Sequence, residues 1–284
     1  MNYLIVSCST YDMAGRAMIQ GAINGISMFD RHAHFCSLEQ PEHHKNWIGW
    51  YREPESNNEA FEWADCILDI AGLHTNQGNK YTWLELRKKY NKPYFFMSQS
   101  FLSNVDKALF EDAVVFARGP RASTKLQEKG IVNTISPDLS FLVKPLIIRD
   151  KQMHLVTPRR VYSTHVGKFW EGMETTVDPE KDIQIIEKPS QGDTIWEPSL
   201  NIPSFTGTPE EIFGLVMQAG EVYTSRYQIA VAAVLSGKKP LIFQTPNVEY
   251  NDKYDDLMYW HGKNPYSICR DVVSACRKVY EDVL

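Results

Sequence analysis

Short β-rich runs alternate with helix-like segments along this chain, and this alternation limits the fold more than any other feature. YLIVS (3–7), CILDIA (66–71) and AVVFA (113–117) are each followed by a glycine-containing turn and a stretch with helical apolar spacing. YFFMS and IVNTI complete the series in the first half. Short apolar runs that alternate with helices are typical of parallel strands buried on both faces. We therefore expect a Rossmann-like α/β layer.

A second, sparser series begins after residues 143–152, where the first rhythm is interrupted. Residues 158–209 are rich in Pro, Gly and polar side chains, so we expect long loops there. At roughly 150 residues per domain, the chain has room for two domains. We predict an α/β fold with an N-terminal domain over 1–147 and a C-terminal domain over 148–284. The predicted strands of the second series are MHLVT (153–157), IQIIE (183–187), EVYTS (221–225) and PLIFQ (240–244), and its predicted helices are EEIFGLVMQAG and YQIAVAAVLSG.

The composition excludes several classes of protein. Apolar residues make up 43% and charged residues 23% of the chain, which is typical of a globular protein rather than a disordered or fibrous one. The formal charge of −5 gives no general reason to bind nucleic acid or an anionic membrane. No apolar run approaches the roughly 18 to 20 residues of a bilayer span, and the first residues lack the features of a signal peptide. We expect a cytoplasmic protein.

The cysteines and histidines do not predict a disulfide framework or a metal site. Five cysteines are an odd number, and none are in CxxC spacing. Cys269 and Cys276 lie seven residues apart in a predicted terminal helix, where packing on one face explains both. The histidines between positions 32 and 44 fit no common zinc motif, so we interpret them as polar loop residues.

Two predicted strands end in an arginine at the point where a helix begins. Arg118 follows AVVFA, and Arg226 follows EVYTS. The carboxyl ends of parallel strands form the ligand crevice of such sheets, and a helix N-terminus there offers free N–H groups and the positive end of its dipole. Two guanidiniums that face each other across a cleft would hold one phosphate or carboxylate. The alternative is that each arginine pairs with a nearby acidic side chain.

Four parts of the chain resemble the polysaccharide pyruvyl transferase family, in the family's order. The resemblance covers residues 90–145 and 205–260 and implies two facing Rossmann-like domains in a GT-B-like architecture. It places the active site between them, with the acceptor on the N-terminal side and the donor on the C-terminal side. The segments that carry it are KPYFFMSQSF (92–101), FARGPRASTKLQEKGIVNTISPDLSFLV (116–143), TSRYQIAVAAVLSGKKPLIF (224–243), and the pair Tyr250 and Lys253.

The resemblance implies a transferase that moves a group from an anionic donor to a hydroxyl of a saccharide-containing acceptor. Its donor would be phosphoenolpyruvate, with no tightly bound cofactor and no metal. Gln228 stands where the family has histidine, and an amide cannot transfer a proton near neutral pH. The residues that would bind or orient the donor are Arg118, Ser225, Arg226, Gln228, Tyr250 and Lys253.

This departure leaves other functions open. A nucleotide sugar suits the same two arginines, so the second hypothesis is a GT-B glycosyltransferase that acts on a glycan or on an already modified nucleic acid. The third is a non-catalytic protein that keeps the anion-binding cleft.

Polar residues at other predicted strand ends complete the candidate site. Asp12 or His74 would act as the base in place of the missing histidine; the plainer alternatives are a turn-forming aspartate and a loop histidine. Aromatic residues at 47–54 and 253–262 either stack on sugars or bases or pack in the protein. The candidates for lining the rest of the cleft, each of which could instead satisfy local backbone groups, are Asp69, Gln99, Ser100 and Asp138.

Overall fold

The computed structural model describes residues 1–6, 13–38, 45–48, 56–70, 73–74, 77–101, 106–146, 158–163, 178, 180–185, 204–243 and 248–284. The strands of the first sheet are β1 (Asn2–Val6), β2 (His34–Leu38), β3 (Lys45–Ile48), β4 (Cys66–Asp69), β5 (Leu73–His74), β6 (Tyr94–Phe101), β7 (Ala113–Ala117) and β8 (Thr134–Ile135). Their order is β3-β2-β1-β4-β6-β7-β8, and β5 pairs with β6. All of these pairs are parallel except β2 with β3, which is antiparallel.

Apolar side chains on both faces of the first sheet are buried, as the sequence predicts for parallel strands. Tyr3 and Ile5 of β1 face one apolar cluster, while Leu4 and Val6 face the other. The first cluster includes the inner face of α1, and the second includes residues of α2 and α3 such as Trp83. The helices that accompany this sheet in the described residues are α1 (Met13–Ile26), α2 (Asn57–Trp63), α3 (Gln77–Tyr90) and α4 (Pro120–Glu128).

The local signals around α4 are confirmed at both ends of the helix. Pro120 occupies the first turn, where its fixed φ suits a helix and its missing N–H costs nothing. Gly130 has φ +69°, and its N–H donates to the carbonyl of Gln127 at 2.8 Å. The helix therefore begins directly after Arg118 and Gly119, at the carboxyl end of β7.

The second sheet is formed by five parallel strands from the other half of the chain. Its strands are β9 (Arg160–Ser163), β10 (Asp182–Ile185), β11 (Ser204–Phe205), β12 (Glu221–Thr224) and β13 (Leu241–Ile242), in the order β11-β10-β9-β12-β13. The helices of this half are α5 (Pro209–Gln218), α6 (Tyr227–Leu235), α7 (Val248–Trp260) and α8 (Pro265–Val283). Every residue of α6 from Tyr227 to Val234 is buried, as its apolar sequence predicts.

The prediction of long loops over 158–209 was wrong at Arg160–Ser163, which forms the central strand of the second sheet. This strand is not an apolar run, and its polar residues have partners on the neighbouring strand β12. Arg160 forms an ion pair with Glu221 at 2.8 Å, and the ring of Tyr162 stacks on Tyr223 at 5.1 Å. MHLVT (153–157), the strand predicted just before it, lies outside the described residues.

The two sheets share one apolar core, which runs through α1, α5, α6 and α8. A methyl group at Gly21 of α1 would overlap the carbonyl oxygen of Leu139, so glycine is needed for the close approach of α1 to the short 3-10 turn Leu139–Leu142. Helix α8 returns to the first half and packs against α1, with Cys276 beside Gly25. The fold is thus the expected one: two facing Rossmann-like α/β halves in a GT-B-like arrangement. The boundary at 147/148 stays a prediction, and α7 and α8 beyond it contact α4 and α1.

Candidate active site

The structure places both predicted arginines at the carboxyl ends of parallel strands. Arg118 directly follows β7 of the first sheet, and Arg226 follows β12 of the second with one residue between. Asp12 lies outside the described residues. The backbones of His74, Gln99 and Tyr250 are described within β5, β6 and α7, but their side chains lie outside the described part.

Arg118 is held inside the protein by neighbours from the first half. Its side chain forms an ion pair with Asp138 at 2.8 Å and donates to the hydroxyl of Ser100 at 3.2 Å. Only 1% of Arg118 is exposed. Asp138 also accepts from the N–H of Ser140 at 2.8 Å, where it caps the 3-10 turn. Arg118, Ser100 and Asp138, three of the predicted cleft residues, therefore form one buried network.

A bulge in β6 lies two residues before Ser100, which belongs to this network. The register between β6 and β7 shifts between Phe96 and Gln99, and Ser98 has φ +58°. This left-handed conformation is costly for a residue other than glycine. The hydroxyl of Ser98 accepts from the N–H of Leu139 at 2.7 Å, so a tertiary hydrogen bond holds the strained residue. Bulges commonly re-aim side chains beside functional sites.

Arg226 is the N-cap residue of α6, and its side chain makes no capping hydrogen bond. The hydroxyl of Thr224 accepts from the N–H of Arg226 at 2.8 Å, and the N–H of Ser225 donates to the carbonyl of Ser163 at 3.0 Å. Among the described residues, no hydrogen bond is made by the N–H groups of Tyr227 and Gln228 in the first turn of α6. This helix end therefore offers N–H groups and the positive end of its dipole at the carboxyl end of β12.

Tyr227, the first residue of α6, connects the two arginine sites. The guanidinium of Arg118 lies over its ring at 4.1 Å, and the ammonium of Lys253 lies 6.0 Å from the same ring centre. The ring of Tyr254 is 5.9 Å away, and its hydroxyl donates to the carbonyl of Ser225. The tyrosine thus places cations from the first sheet and from α7 beside the N-terminus of α6.

Positive charge is concentrated around these two tyrosines. Burial and the charge of Arg118 lower the pKa of Lys253 to about 8. Burial raises the pKa of Tyr254, and the charges of Arg226 and Arg118 both oppose that rise. The two predicted arginines therefore act on the same tyrosine, and Lys253 lies within the field of Arg118. Cations held away from water are stabilised by nearby anions, and the carboxylates of Asp138 and Asp256 also act on Tyr227.

The N-terminus of α4 is different, because a carboxylate of the chain occupies it. Asp256 of α7 accepts from the N–H of Arg121 at 2.8 Å and from the N–H of Ala122 at 3.1 Å. The side chain of Arg121 pairs with Asp252 at 2.7 Å and with Asp255. Sequence analysis missed this acidic cluster. Its spacing could have indicated the cluster, because positions 252, 255 and 256 share one face of a helix. In the structure, that face lies opposite the basic helix α4.

Two other predicted site residues occupy distinct positions. Asp69 is fully buried and accepts from the hydroxyl of Tyr94 at 2.9 Å, on the side of the sheet where Tyr94 joins the cluster with Trp83. Gln228 is buried in the first turn of α6, beside the candidate anion site.

Within the described residues, no group of three or more His, Cys, Asp and Glu side chains is arranged to hold a metal ion. No helix in that part of the chain has the length and apolar character to cross a membrane.

The fold and this junction define a GT-B-like α/β protein, and solved structures share the architecture. UDP-GlcNAc 2-epimerase from Neisseria meningitidis bound to UDP-GlcNAc superposes with a TM-score of 0.58 at 11% identity, covering 99% of this chain and 100% of that chain. UDP-N-acetylglucosamine 2-epimerase from Rickettsia bellii gives 0.57 at 10% identity, covering 99% and 96%. The glycosyltransferase SnogD from Streptomyces nogalater gives 0.52 at 10% identity, covering 100% and 99%.

These low identities show the shared fold alone. No protein-family model matches the sequence, and no curated protein matches it. The similarities support the GT-B-like architecture but add no support for the resemblance to polysaccharide pyruvyl transferases.

Proposed function

We propose that this protein is an enzyme that binds a nucleotide sugar and transfers the sugar to a hydroxyl group of an acceptor. The observation that carries the proposal is the cationic N-terminus of α6. There Arg226 is the N-cap residue, Lys253 and Arg118 lie beside the ring of Tyr227, and the charges of both arginines act on Tyr254. A diphosphate suits this arrangement because it brings negative charge to a helix N-terminus and to the cations around it.

The same arrangement suits the chemistry of glycosyl transfer. The acceptor oxygen bonds to the anomeric carbon, the bond from that carbon to the diphosphate breaks, and a base takes the proton of the acceptor hydroxyl. Negative charge grows on the leaving diphosphate, where Arg226, Lys253 and the dipole of α6 would stabilise it. We assign the role of base to Asp12 or His74 and the donor side to residues 148–284, as in the sequence prediction.

Buried Arg118 takes a supporting role in this proposal. At 1% exposure, and paired with Asp138, its guanidinium is poorly placed to be a direct ligand for the donor. Its contact with the face of Tyr227 fixes the start of α6, and its charge adds to the positive potential there. Arg118 is therefore a positioning residue, whereas Arg226 and Lys253 are the proposed donor contacts.

Two facts favour a nucleotide sugar over phosphoenolpyruvate. Gln228 occupies the first turn of α6 in place of the proton-transferring histidine of the pyruvyl transferases. The proteins with the same fold include an epimerase solved with UDP-GlcNAc. Pyruvyl transfer therefore becomes the competing outcome of the test.

The test is a thermal-shift panel with UDP, GDP, CMP, their sugars and phosphoenolpyruvate. A ligand at 100 times its dissociation constant stabilises the folded state by about 2.7 kcal/mol, so the cognate donor is expected to raise Tm clearly. Arg226→Ala should remove this shift, while Arg270→Ala, at an exposed position on α8, should keep it. Release of the free nucleotide on addition of acceptor would then demonstrate transfer.

A shift with phosphoenolpyruvate and none with nucleotide sugars would favour pyruvyl transfer. Binding of a nucleotide sugar with no turnover towards any acceptor would favour a binding protein. An Arg226→Ala variant that keeps full donor affinity would show that the donor does not bind at α6.

A further inference from the structure

The strand-to-helix junctions at Arg118 and Arg226 are alike in backbone but differ in the side chain that lies at the helix N-terminus. At each one a parallel strand ends, an arginine follows, and a helix begins. At α4, the carboxylate of Asp256 accepts from two successive N–H groups, those of Arg121 and Ala122. At α6, no described carboxylate accepts from the N–H groups of Tyr227 and Gln228, and the ammonium of Lys253 lies 6.0 Å from the ring centre of Tyr227.

The carboxylate at α4 is held as tightly as a bound ligand would be. Asp256 is 2% exposed. A Cβ atom at Gly119 would lie 2.5 Å from its Oδ1, so the backbone before α4 leaves space for this carboxylate and no more. Two oxygens that accept from adjacent N–H groups at a helix N-terminus reproduce the way such a site binds phosphate.

A single helix, α7, supplies one charged side chain to each junction. Asp256 reaches the N-terminus of α4, while Lys253, three residues earlier, lies beside Tyr227 at the start of α6. Trp260 adds a further link to the first junction, since its indole N–H donates to the carbonyl of Arg118 at 2.9 Å. The position of α7 therefore places a carboxylate at the N-terminus of α4 and an ammonium group near the N-terminus of α6.

We propose that Asp256 is a built-in anion that occupies the N-terminus of α4 and so confines the anionic group of the ligand to the N-terminus of α6. The confinement of the ligand to α6 rests on the proposed function, whereas the occupation of α4 by Asp256 does not. Asp256 is in this respect a residue that determines specificity, because it prevents the first half of the protein from contributing a second anion site. A ligand with one compact anionic group, such as a diphosphate, needs only the helix N-terminus at α6.

Removal of the carboxylate should expose a binding site for a small anion at α4. The probes are inorganic phosphate and sulfate, measured by calorimetry and thermal shift near neutral pH. All variants carry Arg226→Ala, so that binding at α6 does not contribute. We expect Asp256→Ala in this background to bind phosphate about tenfold or more tightly than Arg226→Ala alone, since two N–H groups become available to a charged ligand.

The matched control is Asp255→Asn, which removes the neighbouring ion pair with Arg121 but leaves Asp256 on the N–H groups of α4. It should gain no phosphate binding. If Asp256→Ala does not fold, Asp256→Ser provides a second test, because its hydroxyl can cap the helix and still leave room for an anion.

A gain of anion binding in either Asp256 variant, absent from the control, supports the proposal. Equal phosphate affinity in the Asp256 variants and in Arg226→Ala alone would overturn it, as would the same gain in Asp255→Asn. If the Asp256 variants gain phosphate binding but wild-type protein binds no nucleotide, the proposed function fails while the assignment of Asp256 stands.

Discussion

The charge of Lys253 lowers the stability of the unliganded protein but strengthens the binding of an anion. The residue is partly buried, and both burial and Arg118 lower its pKa to about 8. A side chain whose charged form is disfavoured by burial, but which complements an anion, is a mark of a binding site. The neighbouring Tyr254, by contrast, donates its hydroxyl to a carbonyl and is well accommodated.

Substitution of Lys253 by methionine should stabilise the protein and weaken donor binding. Methionine keeps the aliphatic length without the charge, so we expect the free energy of unfolding near neutral pH to rise by about 1–3 kcal/mol. Donor affinity should fall about tenfold or more, because a buried charge-assisted contact is lost. Thermal denaturation and calorimetry measure the two effects. Lys253→Arg is the control, and a variant that loses both stability and affinity would argue for a structural role.

The pKa of Lys253 also predicts how donor binding depends on pH. An anion beside the ammonium favours its charged form, so binding should raise this pKa and take up protons. Donor affinity should be full below a pH of about 8 and decrease above it, where the unliganded protein has lost the proton. Calorimetry in buffers with different ionisation enthalpies detects the uptake. In Lys253→Arg the decrease around this pH should vanish; if it persists, another group causes it.

At the scale of elements, glycine positions decide how closely helices approach their neighbours. Gly21 and Gly25 lie one turn apart on α1, and both contact other elements. The neighbour of Gly21 is the backbone of Leu139, which cannot move without the 3-10 turn. The neighbours of Gly25 are the side chains of Cys276 and Leu142.

Gly21→Ala and Gly25→Ala should therefore differ, although alanine favours a helix at both positions. We expect Gly21→Ala to lower the free energy of unfolding by about 3 kcal/mol or more, because the backbone of the turn must shift. Gly25→Ala should cost less, since side-chain ends can rotate away. Urea denaturation of the two variants and the wild type gives the comparison. Equal costs would show that the turn at Leu139 yields easily.

The sequence predicts a helix or strand well where neighbouring residues determine its structure. It predicts one poorly where partners far along the chain determine it. AVVFA and the following helix match β7 and α4 because strand pattern, Pro120 and Gly130 are all local signals. β9 was missed because Arg160 and Tyr162 are satisfied by residues about sixty positions away. In the candidate site, the places of Arg118 and Arg226 followed from strand ends. The spacing of the acidic residues on α7 shows that they share a face, but not that Asp256 accepts from the N–H groups of α4.

At the scale of the molecule, α8 joins the end of the described chain to its beginning. Its apolar face contains Ile268, Val272, Cys276 and Val279, all buried, and it packs against α1. At about 1.5–3 kcal/mol for each large apolar side chain buried, this face contributes an amount comparable with the whole net stability of a typical domain.

Deletion of residues 265–284 should therefore prevent cooperative folding of the rest of the chain. We expect loss of a sharp thermal transition and binding of a hydrophobic dye, which reports exposed apolar surface. Deletion of residues 281–284 alone is the control, because their side chains are largely exposed. A cooperative transition in the longer deletion would show that α1 is sufficiently covered without α8.

The packing of α8 on α1 also has a consequence for the order of events during synthesis. Since α1 ends at Ile26 and α8 begins at Pro265, the ribosome must add residues 27–264 before the helix that covers α1 is made. Domains usually fold in turn from the N-terminus as they emerge, but here the first half stays open on one side until α8 has been made. During that interval, the nascent chain would present an apolar surface of the kind that chaperones bind.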